Sequence, residues 1–328
     1  MHIVITGAAG FLGSRLARQL LDQGVLTDRD GAQRTIERIT LLDLAPPVGL
    51  DDPRVRTLAG DIADPATIAE AIGPDTDSIF HLAAVVSGQA EADFDLGMRV
   101  NLDATRHLLE QARSHGKRPV LVFTSSVAVF GGDLPPNVPD NMKAAPQSSY
   151  GTQKAMCELL INDYSRRGYV DGRVLRMPTI SVRPGAPNQA TSSFASGIIR
   201  EPLNGQQAVC PVSGDTRMWL MSPNTAVHNL IHAHGLPEGE LHAGRVLNLP
   251  GLSVRVSDMI DALEQVAGTE ASERIVWRED EVISRIVRSW PGNFEATRAR
   301  SLGFLADKDF AQIVRDYVRD YVRVAQQS

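Results

Sequence analysis

The sequence predicts an α/β protein built on a doubly wound parallel sheet with a smaller mixed α/β lobe. Three observations carry that prediction. Short apolar runs recur through the first half at His2–Thr6, Ile39–Leu42, Val55–Leu58, Ser78–Ala84, Val120–Thr124 and Arg173–Met177. They are continuous rather than alternating, which is how strands buried on both faces of a parallel sheet read. Most of the segments between them carry apolar residues at helical spacing, so helices cover the sheet. A glycine-rich turn, Gly7 to Gly13, follows the first run directly and opens the first helix.

On the first helix, Phe11, Leu12, Leu16, Leu20 and Leu21 share helical spacing. From Val25 to Arg38 the chain turns polar around Thr27-Asp28-Arg29-Asp30-Gly31, which reads as an exposed loop before the second strand. That strand ends at Asp43, and the third is followed by Asp61-Ile62 and the helix-capping pair Asp64-Pro65. A helix between Asp93 and His115 carries Leu102, Leu108 and Leu109, and the fifth strand runs out at Ser125-Ser126. Tyr150 to Lys154 begins another helix, and the sixth strand follows. From Pro178 to Pro187 the texture changes to Pro and Gly punctuation, after which alternation is lost. Residues 1–177 therefore read as a Rossmann-type dinucleotide-binding domain. Residues 178–328 read as a mainly substrate-binding lobe with some segments returning to the core. Asp307–Val324, with Phe310, Ile313, Val314, Tyr317 and Tyr321, reads as an amphipathic closing helix.

Composition excludes other classes. With 328 residues, 43% hydrophobic and 22% charged, the chain is an ordinary globular one. Net charge is −6 without long single-sign blocks, so no nucleic-acid or anionic-membrane partner is expected. The most apolar uncharged stretch, Ser78 to Ala90, falls short of the roughly 18–20 residues needed to span a bilayer. Cys157 and Cys210 lie far apart without C-x-x-C spacing, and Met1–Gly7 reads as strand and turn rather than an export signal. A reducing cytoplasm is the expected location.

The spacing of Gly7, Gly10 and Gly13 is G-x-x-G-x-x-G. Glycine allows the tight turn and the close approach of backbone to a pyrophosphate, with the helix N-terminus aimed at the anion. At the end of the second strand, Asp43 can accept hydrogen bonds from adenosine ribose hydroxyls and repel a 2′-phosphate, which favours NAD over NADP. Asp61 and Ile62 are candidates for the adenine edge. Tyr150 and Lys154, at i and i+4, share one helical face, and Ser125-Ser126 stands at a strand carboxyl end, where open α/β sheets bind ligands.

From residue 1 to about residue 183 the chain resembles the extended short-chain dehydrogenase/reductase superfamily, also described as the NAD-dependent epimerase/dehydratase family. The resemblance rests on Thr6-Gly7-Ala8-Ala9-Gly10-Phe11-Leu12-Gly13, Gly60-Asp61-Ile62, His81-Leu82-Ala83-Ala84, Asn101, Thr124 to Gly131, and Tyr150 to Lys154. It implies a cofactor site of Gly7, Gly10, Phe11, Leu12, Gly13, Asp43, Asp61, Ile62, Leu82, Ala83, Ala84, Asn101, Tyr150, Lys154 and Pro178. It implies a catalytic set of Ser126, Tyr150 and Lys154, with Ser125 beside it. Tyrosine, of reference pKa near 10, is a weak base at neutral pH, yet a unit positive charge about 4 Å away at an effective dielectric of about 20 supplies about 4 kcal/mol. Lys154 would thus make Tyr150 a usable base while Ser126 holds the substrate oxygen. The resemblance also implies a homodimer using the helices after Asp93 and around Tyr150.

Family dehydratases carry an acidic pair after the serine; here Val127-Ala128 stand there, which disfavours dehydration. Where nucleotide-sugar enzymes usually carry Asn, this chain has Thr179. The stretch Arg176-Met177-Pro178-Thr179-Ile180-Ser181-Val182-Arg183-Pro184-Gly185, with the later Ile198 to Gly205 segment, resembles the branch that oxidises four-carbon sugar acids. That implies a D-erythronate-like aldonate as substrate, its C2 hydroxyl oxidised with NAD. A carboxylate needs a positive fork, for which Arg183 or Arg217 is available, with Asn188, Thr191 and Ser192 as neutral donors and Thr179 and Tyr150 nearby in role. Two alternatives remain open: a nucleotide-sugar 4-epimerase that retains NAD, and a non-catalytic NAD-binding scaffold. His228, His232 and His234 lack the Glu of H-E-x-x-H, and no metal is expected. Trp219 reads as a cleft wall or as lobe packing, and Cys157 as a small core residue.

Overall fold

Six runs rich in Val, Ile, Leu and Phe form the strands β1 His2–Thr6, β2 Arg38–Asp43, β3 Val55–Ala59, β4 Ser78–His81, β5 Val120–Ser126 and β6 Asp171–Met177. A short seventh, β7 Val246–Asn248, joins them. The protein is seen here as a computed structural model that describes residues 1–185, 190–241 and 244–322. The strands make one sheet in the order β7-β6-β5-β4-β1-β2-β3, and β1 pairs in parallel with both β2 and β4. The fold is thus the expected Rossmann-type α/β architecture. The chain winds outward from β1 to β3, returns to β4 on the other side of β1, and winds outward again. This reversal opens a crevice at the carboxyl ends of β1 and β4, where doubly wound sheets bind ligands.

Helices α1 Phe11–Gln23, α2 Pro65–Ala71, α3 Ala104–His115 and α4 Ser149–Arg166 cover the sheet. Leu16, Ala17 and Leu20 of α1 are buried, and the helix stops at Gly24, which turns left-handed so that its N–H reaches Leu20 O. One core cluster joins Val4, Leu42, Ile79, Leu121, Phe123 and Val174 of the sheet to Ile68, Leu108, Leu109 and Ile161 of the helices. Asp64 caps α2 by accepting from Ala66 N, as its sequence context predicts.

Two local expectations are corrected. The polar stretch after α1 is not merely a loop: Val25–Thr27 and Gln33–Thr35 pair antiparallel across a turn containing Gly31 at φ 80°. Alternation is too short there, and the Gln33–Thr35 strand too exposed, for hydrophobic periodicity to announce a hairpin. The helical run from Asp93 to His115 is interrupted by a π-helical segment, Met98–Asp103, ahead of α3. A single widened turn with i→i+5 bonds is too short to show in the apolar spacing of the sequence.

The chain divides into two compact units. The first comprises Met1–Val129, Ser148–Arg176 and Val227–Leu247; the second comprises Phe130–Gln147, Met177–Ala226 and Asn248–Ser328. Within the second, three strands lie in the order Leu252–Arg255, Arg217–Met221, Thr179–Ile180. Their core gathers Ile198, Ile199, Met218, Leu220, Met259, Leu263, Ile313 and Val314. The closing helix runs Phe310–Tyr317, buries Phe310, Ile313, Val314 and Tyr317, and continues as a π-helical turn, Val318–Val322. The rest of its expected span, residues 323–324, lies outside the described residues.

Candidate active site

The glycine turn takes its shape from the absence of side chains. Gly7 has φ 71°, and a Cβ there would stand 2.7 Å from Ala83 N, so the turn after β1 presses on the segment after β4. A Cβ at Gly13 would meet Gly7 O at 2.2 Å, which is what lets α1 start directly against the turn. Gly10 is the N-cap and brings no side chain to cap the helix. Phe11, Leu12 and Gly13 therefore open α1 with backbone N–H groups that have no intrahelical acceptor. At the end of β2, the Asp43 carboxylate accepts from Ala9 N and from Leu44 N, each at 2.8 Å. An anion-receptive helix start with a carboxylate fixed beside it is the donor and acceptor set that a nicotinamide dinucleotide requires: amides for pyrophosphate, a carboxylate for ribose hydroxyls.

Asp61 is exposed, its Oδ1 accepting from Ala63 N in a turn, and Ile62 is buried behind it. Leu82, Ala83 and Ala84 follow β4 at intermediate burial. Asn101 sits in the π-helical segment; its Oδ1 accepts from Val85 N at 2.9 Å and its Nδ2 donates to Gln153 Oε1 at 2.8 Å. Pro178 follows β6 in the second unit.

The side chains expected to do chemistry converge at β5 and α4. Ser148 caps α4 by accepting from Gly151 N, so Tyr150 and Lys154 lie one turn apart at its start. Lys154 is 1% exposed; its Nζ donates to Thr124 O at 2.9 Å and lies 4.5 Å from the centroid of Phe123 and 5.7 Å from that of Tyr150. Burial pushes the Lys154 ammonium down to about 8. Burial holds His81, at the end of β4, neutral, pushed down to about 3 with Lys154 adding repulsion.

Successive strand residues face opposite ways, and the adjacent serines separate accordingly. Ser126 is half-buried and its Oγ accepts from Ala128 N at 3.1 Å. Ser125 is buried and donates to Glu158 Oε1 at 2.5 Å, where Arg176 also binds Glu158 through Nε at 2.9 Å and Nη2 at 2.7 Å. The Ser125 hydroxyl is thus committed to this interior pair, and the Ser126 hydroxyl is not. Glu158 and Arg176 are 18 residues apart, on a helix and a strand, so no local spacing in the sequence announces this pair.

In the second unit, Thr179 and the helical turn Thr191–Ser193 are half-buried. Arg183 Nη2 donates to Ser192 Oγ at 3.5 Å and its backbone N to Ser196 Oγ at 3.0 Å, so these expected residues stand together. Arg217 instead starts its strand, exposed, with Nη1 donating to Ser253 Oγ. Asn188 lies outside the described residues. Trp219 is buried, donating to Leu249 O and packing on Phe294 at 5.4 Å, which is the packing role. His234 is buried between Ser78 Oγ and Thr27 O, and burial pushes it down to about 4. Cys157 is a buried core residue whose thiol donates to Asn101 O. Among the described residues, no cluster of His, Cys, Asp or Glu is arranged to hold a metal, and no helix is long and apolar enough to cross a membrane.

Residues 3–234 match the family described as the NAD dependent epimerase/dehydratase family. The chain is 57% identical over 320 residues to a D-erythronate dehydrogenase of Cupriavidus necator, covering 98% of each protein. It is 49% identical to a D-erythronate dehydrogenase of Haemophilus influenzae, covering 97% of this chain and 99% of that one. Among solved structures it is similar to one described as a nucleoside-diphosphate-sugar epimerase from Agrobacterium tumefaciens, with TM-score 0.92, 45% identity and coverage of 98% and 95%. The fold also matches that of L-threonine 3-dehydrogenase from Trypanosoma brucei, with TM-score 0.85 at 24% identity over 99% and 98% of the two chains.

Proposed function

The chain belongs to the NAD dependent epimerase/dehydratase family, and on that premise we propose that it oxidises the C2 hydroxyl of D-erythronate, or of a closely related small aldonate, to the 2-oxo acid with NAD. The observation that carries this reading is the 57% identity, over nearly the whole of both chains, to a D-erythronate dehydrogenase. The first turn of α1, Gly7 and Asp43 would hold the dinucleotide, with Asp61, Ile62, Leu82, Ala83, Ala84, Asn101 and Pro178 as further contacts. When bound, the nicotinamide accepts a hydride from the carbon being oxidised.

The chain's own residues supply the rest. Tyr150 Oη takes the proton of the substrate hydroxyl. The Lys154 ammonium, with its Nζ 5.7 Å from the Tyr150 ring centroid, favours the phenolate by charge attraction. Ser126, whose oxygen accepts from Ala128 N, donates its O–H to the substrate oxygen and orients it. Lys154 cannot drift from this position because its second task, the bond to Thr124 O, ties it to β5. For the substrate carboxylate we propose Arg183, with Ser192, Thr191 and Thr179 as neutral donors, and Arg217 as the second choice.

A homodimer through the helices after Asp93 and around Tyr150 is part of the same reading, supported by Phe94 and Leu159, which are 58% and 73% exposed there. A cytoplasmic location is supported by the two buried free thiols.

The test is a screen of purified protein with NAD against four- to six-carbon aldonates and nucleotide sugars. NADH absorbance should rise with D-erythronate or a near relative. No rise across the aldonates sinks the proposal; isomerisation of a nucleotide sugar without net NADH would replace it with the epimerase reading.

A further inference from the structure

A continuous buried hydrogen-bond chain leads from the glycine turn to the catalytic helix, and every donor in it can be assigned. The carbonyl of Asn101 can only accept, so Thr105 Oγ1, 2.7 Å away, must donate its hydrogen to it. The oxygen of Thr105 is then the acceptor for His81 Nε2 at 2.9 Å, which places the imidazole hydrogen on Nε2. Bare Nδ1 must accept from Thr6 Oγ1 at 2.7 Å, and the Thr6 oxygen accepts from Ala83 N at 3.2 Å. At the far end the Cys157 thiol of α4 donates to the same Asn101 carbonyl at 3.2 Å. Thr6, His81, Asn101, Thr105 and Cys157 are each at most 1% exposed.

We propose that His81 is a positioning residue which, locked as its Nε2–H tautomer, ties the Gly7 and Ala83 side of the dinucleotide cradle to the helix that presents Tyr150 and Lys154. The chain has two arms. Through Thr6 it fixes the N–H of Ala83, the residue on which Gly7 presses. Through Thr105 it fixes the Asn101 carbonyl, on which α4 is hung by Cys157 and beside which Asn101 Nδ2 holds Gln153, the neighbour of Lys154. A protonated ring would turn Nδ1 into a donor, and the Thr6 hydroxyl, whose oxygen already accepts from Ala83 N, would have to turn its own hydrogen away to accept from it. Burial against Phe123, with the Lys154 charge nearby, keeps the ring neutral. The role of the cradle rests on the cofactor reading above, whereas the tautomer does not.

The tautomer is read directly from the imidazole nitrogen shifts of the labelled full-length protein without ligand. His81 should show a protonated Nε2, a bare Nδ1 and no titration between about pH 5 and pH 9. The arms are then separated with isosteric variants. Thr6→Val should weaken NAD affinity, measured by calorimetry, at least fivefold. Thr105→Val should lower turnover at least tenfold on whichever aldonate the protein oxidises, with a smaller loss of NAD affinity than Thr6→Val shows. An Nδ1–H tautomer overturns the proposal whatever the variants do. So does an equal change of affinity and turnover in both variants, as general destabilisation would produce, or no change in either. If no aldonate is oxidised, the substrate reading fails while the nitrogen shifts and the NAD affinity of Thr6→Val still decide this one.

Discussion

Lys154 Nζ donates to the carbonyl oxygen of Thr124 at 2.9 Å, so the ammonium at the start of α4 is pinned to the end of the strand that carries Ser126. An ammonium has three donors, and tethering one of them fixes where its charge acts. With the Tyr150 ring centroid 5.7 Å from the same nitrogen, helix and strand ends are coordinated by one side chain.

Removing the phenol hydroxyl should remove chemistry and spare cofactor binding. Tyr150→Phe is expected to lower kcat by about 10²–10⁴-fold, the span of general acid–base contributions. Its NAD dissociation constant, measured by fluorescence, should change less than threefold. Full activity in Tyr150→Phe would rule Tyr150 out as the base.

The Lys154 ammonium also predicts a pH signature. Its folded value, about 8, lies below its ordinary value of 10.5. Between these the unfolded chain binds more protons, so this group's cost to the folded state is full below about pH 8 and is relieved as pH rises toward 10.5. The difference amounts to about 3 kcal/mol at most. Denaturation of the wild type and of Lys154→Met from pH 7.5 to 10 should show the wild type gaining stability relative to the variant. A gap independent of pH would contradict the shift.

Two glycines with the same backbone sign should respond differently to alanine. At Gly31, φ 80° with nothing within 4 Å of a Cβ, alanine costs only left-handed strain, about 1–2 kcal/mol. At Gly7 the Cβ would also strike Ala83 N, and backbone cannot move aside cheaply. Gly7→Ala should lose measurable NAD binding in calorimetry, while Gly31→Ala keeps it with a lowered Tm. Equal behaviour would show that the contact with Ala83 does not matter.

The interior pair behind the serines should be strongly coupled. Arg176→Met leaves the Glu158 carboxylate buried without its guanidinium, at a cost of about 3–5 kcal/mol in urea unfolding. The double variant Glu158→Leu with Arg176→Met should cost less than the single one, because no charge is then stranded. Additive losses would mean that the pair contributes no net interaction.

Sequence alone determined the class of the fold and the chemistry on offer. Continuous Val/Ile/Leu runs between helical periods leave little choice but a covered parallel sheet, and a glycine turn between a strand and a helix is a local property of the backbone. Asp43, Ser126, Tyr150 and Lys154 could be named because each stands at a strand end or a helix start, and such ends are legible. Only the tertiary structure decided what non-local contacts set. It sent Ser125 inward to Glu158, placed Arg183 beside Ser192 and Arg217 beside Ser253, and made His81 the middle of a buried chain from Thr6 to Asn101. Partners as far apart in the chain as Ser125 and Glu158, or Thr6 and His81, leave no periodic trace in a sequence; they meet only once the strands are in register and water has been excluded from between them.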